Sequence, residues 1–422
     1  MTFVCRYFFY LLPFVISCIP GVSLSEDIII QAYDVYFPLL LVIILLERKW
    51  TIKNHNVDFV LNVWNVFVFI LILSLLLTCL LDLRFYFSAL LKAFRLIYPS
   101  ILLVFVFGHR SLIKIKYFNF GFLLSMLICP LIGILGYAYQ IDSLIAKQTT
   151  LIDGVQFYRA GSFWKDSGVL GVLSAVYSLI SIALLFRTNY SSRIKLLIVI
   201  SISLNLVALG LSFSRTGMLI VCIGIFIIIC QLKVRKILFW GIPFFFILIF
   251  VISYLYQSNA LPELDQLYNR FVAVLNFSTS NADDVSSGRT SQWFSTLDFF
   301  LFNSNIYRLM LGYGYKTDSN ILPLSDNGLL YILITTGVIG LCCFIFFITV
   351  LFCTSWHDNR KPILLLVHKL VLCSWMISMV FVDSLTYIPV VVLCFLVYSF
   401  LKMPYNINNR QILTRIMRIL KE

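Results

Sequence analysis

An all-α, polytopic membrane bundle of about twelve helices is the fold this sequence predicts, and three observations predict it. Of 422 residues, 61% are hydrophobic and 12% are charged, whereas soluble domains run at about 45–50% apolar and about 25% charged. One soluble core cannot absorb that shortage of charge, because it still needs a polar surface. Apolar runs of about 20 residues, each able to cross about 30 Å of hydrocarbon, recur along the chain. Lysine and arginine, thirdly, are shared unevenly between the loops on the two sides. A β-barrel would instead show segments of about ten residues alternating in polarity.

In chain order the expected spans lie at about 7–24, 28–46, 59–81, 88–108, 117–137, 167–186, 196–212, 216–232, 237–256, 328–353, 363–382 and 385–401. The first has two rival readings. Residues 7–19 followed by Ser23-Leu24-Ser25 resemble a cleaved signal peptide, and Val15-Ile16-Ser17-Cys18 has the look of a lipoprotein acylation site. A chain with so many further spans needs no added anchor, so an uncleaved first span is expected. The organisation is a nine-span bundle over 1–256 with an outer loop at about 138–166, a large outer loop over 257–327, three spans over 328–401 and a basic tail over 402–422.

With both termini inside, the inner segments carry 20 of the 32 Lys and Arg and the outer segments 9, while Lys92, Arg95 and Lys369 fall within spans. The inner loops are also the shorter ones. The net charge of +13 is therefore read as the positive-inside bias, with membrane lipids and no nucleic acid as the partner.

The eleven cysteines avoid both large outer segments and show no C-x-x-C spacing. They predict neither a disulfide framework nor a metal site. Asp283-Asp284 in the large loop reads more simply as an exposed acidic pair than as a metal site. His55, His109 and His357 fall in inner loops and His368 opens a span near the inner face. A general base on the outer side must then be Asp, Glu, Tyr or a substrate group.

Ser212-Phe213-Ser214-Arg215-Thr216-Gly217 joins two apolar runs with almost no loop. It holds Arg215 at the outer lip of the membrane, since deep burial of Arg costs about 2.5–3.5 kcal/mol on insertion scales. A guanidinium there can grip a lipid phosphate or pyrophosphate in a bidentate way, or simply anchor the helix end to headgroups. Lys92 and Arg95 share one helical face in the outer third of the fourth span. They either snorkel to the interface or add positive charge to an anionic lipid site.

Three stretches resemble the O-antigen ligase and polymerase superfamily, membrane glycosyltransferases that assemble bacterial surface polysaccharides. Ser212 to Gly217 is similar to its Ser-x-Ser-Arg turn. Ser287-Gly288-Arg289, then Trp293, then Leu311-Gly312-Tyr313-Gly314, resembles its Gly-Arg, Trp, Gly-x-Gly order across the large loop. Asp326-Asn327, Leu330 and Gly337-Val338-Ile339-Gly340 resemble its entry into the next span. Arg159-Ala160-Gly161-Ser162-Phe163, with Asp166 behind it, looks like the smaller outer loop. One position departs from the ligases, which generally carry His just before that Asn, where this chain has Asp326. The resemblance thus points to the polymerase branch.

The resemblance implies a bacterial inner-membrane enzyme, with no cofactor and no metal. Its donor and acceptor would be oligosaccharides linked to undecaprenyl pyrophosphate, and a flippase and a chain-length regulator would work beside it. Arg215 and Arg289 would stabilise the pyrophosphate leaving group, with Arg159 and Arg270 as weaker candidates. Asp326 would take the proton of the attacking hydroxyl, or else cap the span that starts near Asn327. Gly312 and Gly314 would let the loop fold tightly against glycan or membrane, or form a simple turn. Tyr158, Phe163, Trp164, Trp293, Tyr313 and Tyr315 would stack on sugars or belong to an interfacial aromatic belt. An O-antigen ligase, a lipid-linked oligosaccharide flippase, and a capsule or exopolysaccharide polymerase are the rivals.

Overall fold

The computed structural model describes residues 9–231, 289–314 and 327–403, apart from short stretches at 20, 24–28, 49–51, 53, 84–85, 111–112, 114, 143, 150–156, 165, 188–189, 357–360, 382–384 and 386. Its helices are α1 (Leu12–Cys18), α2 (Ala32–Glu47), α3 (His55–Leu81), α4 (Phe87–Phe94), α5 (Tyr98–Gly108), α6 (Ile115–Ala138), α7 (Ser167–Arg187), α8 (Ser192–Ser212), α9 (Arg215–Gln231), α10 (Arg289–Asn303), α11 (Ile306–Leu311), α12 (Gly328–Trp356), α13 (Pro362–Phe381) and α14 (Ile388–Lys402). Two short antiparallel ribbons interrupt them, β1 (Val22–Ser23) with β2 (Ile29–Ile30) and β3 (Ile145–Thr149) with β4 (Phe157–Ala160). The chain is an all-α, multi-pass membrane protein.

Among the described residues, seven helices are long and apolar enough to cross a membrane, and α9 and α14 are shorter apolar helices. The expected ninth span, about 237–256, lies outside the described residues. The first span is not the continuous 7–24 helix expected. It ends at Cys18, because Pro20 cannot donate to the helix and pushes Ile19 into an extended conformation (φ −112°, ψ 124°). The second begins later than expected, at Ala32, since Ile29 and Ile30 pair with Ser23 and Val22. A reciprocal cap between Gln31 and Asp34 starts it.

Packing defines two ends. At one, Nε2 of His109 meets Glu47 at 2.8 Å and Lys361 Nζ donates to the carbonyls of Phe400 and Met403 at 2.7 and 2.6 Å. The opposite end carries both ribbons and α10–α11, and is called here the loop-bearing end. At the centre every residue of α14 from Ile388 to Leu401 is buried, as befits a helix that is apolar all round. Its Phe395 joins Trp64, Phe347 and Trp375 in a cluster with ring centroids 4.9–6.3 Å apart.

Two gaps in helix hydrogen bonding shape the bundle. Pro130 lies inside α6 and cannot donate to the carbonyl of Met126. Buried Asn205 on α8 donates Nδ2 to that carbonyl at 2.8 Å, and Ser201 Oγ approaches it at 3.4 Å. In α12, Gly337 departs from helical geometry (φ 68°, ψ −170°), which frees carbonyls one turn earlier. The amides of Tyr313 and Gly314 donate to the carbonyls of Ile334 and Thr335 at 2.8 and 3.0 Å, and Ser74 Oγ adds a 2.6 Å bond to Thr335. Backbone freed inside a membrane persists only where protein satisfies it in this way.

Candidate active site at the loop-bearing end

The turn between α8 and α9 is built by its own serines. Ser212 Oγ donates to the Leu209 carbonyl at 2.7 Å and accepts from the Ser214 amide at 3.3 Å. Phe213 between them takes the left-handed conformation (φ 51°) that ends α8. Ser214 then caps α9, its Oγ accepting from the Gly217 amide at 3.2 Å. A Cβ on Gly171 of α7 would lie 2.2 Å from Ser214 Cβ, and one on Gly217 would lie 2.7 Å from the Gly171 carbonyl oxygen. The turn is therefore locked against α7. Arg215 is left half-buried at the first position of α9.

A cation there opposes the helix dipole by about 0.3–1 kcal/mol. An anion at the same place gains from both the guanidinium and the helix dipole. The local sequence thus builds an anion-attracting corner, at a small expense in helix stability.

The smaller loop joins that corner. Arg159 sits half-buried on β4, opposite Ala146 of β3, and β4 packs against α6, α7 and α8. Ser162 Oγ ties the following turn to the Cys129 carbonyl at 3.1 Å. Asp166 then caps α7 by accepting from the amides of Gly168 and Val169 at 2.7 and 3.2 Å. A Cβ on Gly168 would meet the Tyr387 hydroxyl at 2.6 Å. Arg159, Asp166, the Ser212–Arg215 turn and Tyr387 all belong to elements gathered at this end.

The large loop is partly helical. Arg289 is the first residue of α10, and Trp293 lies one turn on, half-buried, its Nε1 buried and without a hydrogen-bond partner among the described residues. Gly312 (φ 79°) and Gly314 (φ 90°) follow α11. A Cβ on Gly312 would lie 2.3 Å from the Thr335 carbonyl carbon. The tight approach expected of this turn is therefore made to the broken backbone of α12. Arg270 and Asp326 lie outside the described residues, as do Tyr315 and the Asp283-Asp284 pair.

Residues 196–345 match the model of a protein family described as O-antigen ligase. This stretch is similar to that family. It takes in the Ser212–Arg215 turn, α10, α11 and the broken first half of α12, and it leaves Lys92, Arg95 and Arg159 outside. The family covers O-antigen ligase and polymerase-type membrane enzymes. No curated protein matches the chain.

Three features of the structure escaped sequence reasoning. Arg95 is engaged by the chain itself. It donates Nε and Nη2 to the two carboxylate oxygens of Asp34 at 2.9 and 2.6 Å, and the Tyr98 hydroxyl donates to the same carboxylate at 2.9 Å. The guanidinium also lies 5.5 Å from the Tyr33 ring centre. A 3-10 turn over Arg95–Ile97 between α4 and α5 presents it to α2. Lys92 remains on α4, on the turn before Arg95. Secondly, Asn327 caps α12: its Oδ1 accepts from the amides of Leu329 and Leu330, each at 3.0 Å. The capping role weighed for Asp326 thus has an occupant. Thirdly, Arg308 of α11 reaches α3, donating to Thr78 Oγ1 at 2.9 Å and to Asp82 at 3.3 Å. Sequence distances of 230 and 226 residues hid that contact; only a basic residue late in a short loop helix was visible.

Proposed function

We propose that this chain is a polysaccharide polymerase of the O-antigen type, working at the periplasmic face of a bacterial inner membrane. It transfers a growing glycan from undecaprenyl pyrophosphate to a new lipid-linked repeat unit. A hydroxyl of the acceptor sugar attacks the anomeric carbon of the donor glycan. The bond from that carbon to the pyrophosphate oxygen breaks, a glycosidic bond forms, and lipid pyrophosphate leaves with the electron pair. The hydroxyl proton goes to a base, for which Asp326 is our candidate.

The observation that carries this reading is Arg215, held at the first position of α9 by two serines inside the stretch that matches the O-antigen ligase family model. Charge grows on the leaving pyrophosphate in the transition state, so a guanidinium at a helix N-terminus acts most strongly there. Arg289, at the start of α10, and Arg159, on β4, supply further cations. Trp293 offers an aromatic face to a sugar, and Arg270 remains a weaker candidate. A flippase would bring repeat units to this face and a chain-length regulator would set product size.

Ligation to lipid core is the second reading, favoured by the family description. A cell whose own gene is deleted, complemented with Arg215→Ala or Arg289→Ala at matched protein level, separates the two. A polymerase predicts single repeat units on core in place of a ladder, whereas a ligase predicts bare core. A normal ladder from both variants would remove these arginines from the reaction.

A further inference from the structure

The loop-bearing end holds one more arrangement that the transfer chemistry does not use. Arg308 is 15% exposed and its guanidinium does three things at once. It donates to Thr78 Oγ1 in the last turn of α3, pairs with Asp82 just after α3, and stacks 4.9 Å from the ring centre of Tyr313. Asp82 is itself oriented by the Tyr86 hydroxyl at 3.3 Å. Tyr313, in turn, pairs its hydroxyl with Ser304 at 2.8 Å and donates its amide to the Ile334 carbonyl freed by the Gly337 break. Phe300 of α10 and Ile334 of α12 form a small separate apolar cluster, with Leu309, Tyr313 and Leu330 packed on it.

We propose that Arg308 is a positioning residue, a latch that fastens α10–α11 onto the ends of α3 and α12. Ser304 and Asn305 alone separate α10 from α11, and Asn305 caps α11 by accepting from the Arg308 amide at 2.9 Å. Fixing α11 therefore fixes the helix that begins with Arg289. Arginine suits this latch because one planar fork bonds two acceptors while its face lies on an aromatic ring, which an ammonium cannot do. What the latch delivers rests on the transfer reading above; the latch itself does not.

The test measures hydrogen exchange at the Tyr313 and Gly314 amides in the full-length protein in lipid nanodiscs, alongside turnover per folded molecule. Arg308→Ala is expected to speed exchange at both amides by about tenfold or more, as local opening does, without changing the amides of α14. Asp82→Ala is expected to act in the same direction but less, and the double variant to match Arg308→Ala, because Asp82 acts through Arg308. Turnover should fall with the faster exchange. Arg308→Lys, a milder change should the alanine variant fold poorly, is expected to fall between. Unchanged exchange with lost turnover would overturn the latch and make Arg308 a substrate contact. Faster exchange at full turnover would overturn its positioning role. Failure of the transfer reading shows separately, as a wild-type chain without transferase activity whose amides still respond to Arg308→Ala.

Discussion

Gly312 and Gly337 sit on the two sides of one backbone crossing. A Cβ on Gly312 would fall 2.4 Å from the Thr336 amide nitrogen, and one on Gly337 would fall 2.2 Å from the Met310 carbonyl oxygen. Both residues have positive φ, at 79° and 68°. Strain and overlap therefore act together, and neither site has a flexible side chain that can give way. Gly337→Ala is expected to destabilise the protein by more than about 2 kcal/mol. Thermal unfolding in detergent, read by size exclusion, checks this. Gly312→Ala should do the same, and the pair should be less than additive.

Asn205 answers the defect that Pro130 creates. Asn205→Leu leaves the buried Met126 carbonyl only the longer Ser201 contact, at a penalty of about 1–3 kcal/mol. Pro130→Ala in the same chain restores an N–H one turn away from that carbonyl. The double variant is expected to unfold at a higher temperature than Asn205→Leu alone. Equal unfolding temperatures would show that the carbonyl is not what Asn205 serves.

Asp34 and Arg95 form a part-buried pair with side chains 6% and 13% exposed. Removing one partner leaves the other without its counter-charge, which destabilises the fold. Arg95→Met and Asp34→Leu should each cut the yield of folded protein, while the double variant recovers much of it. Turnover per folded molecule of the double variant should match wild type. A large fall in turnover with good folding would return Arg95 to the substrate site.

Arg215→Lys distinguishes a bidentate grip from simple charge. Lysine keeps the charge and loses the fork, so turnover should fall well over tenfold, about 1.4 kcal/mol or more of transition-state stabilisation. Full activity in Arg215→Lys would leave only an electrostatic role.

The seven long apolar helices among the described residues were legible because hydropathy records length, and length is what a bilayer demands. Breaks in the helices were not. Pro20 ends the first helix and Gly337 splits α12, yet neither lowers the apolar content enough to register. The Ser212–Arg215 corner was legible because its capping serines lie next to the arginine they position. Asp34 with Arg95, Asn205 with Met126 and Arg308 with Asp82 were not, since each pair joins distant parts of the chain and neither member signals its partner. Gly312 and Gly314 announced a tight approach without saying to what.

In the proposed reaction Arg215 stabilises a departing lipid pyrophosphate during glycosyl transfer. That role is tested most directly by incubating purified protein with an undecaprenyl-pyrophosphate-linked oligosaccharide and measuring release of undecaprenyl pyrophosphate alongside glycan elongation. Wild type is expected to release one lipid pyrophosphate per glycosidic bond formed, and Arg215→Ala, equally folded, to be slower by about a hundredfold or more. Elongation by Arg215→Ala at the wild-type rate would contradict the account.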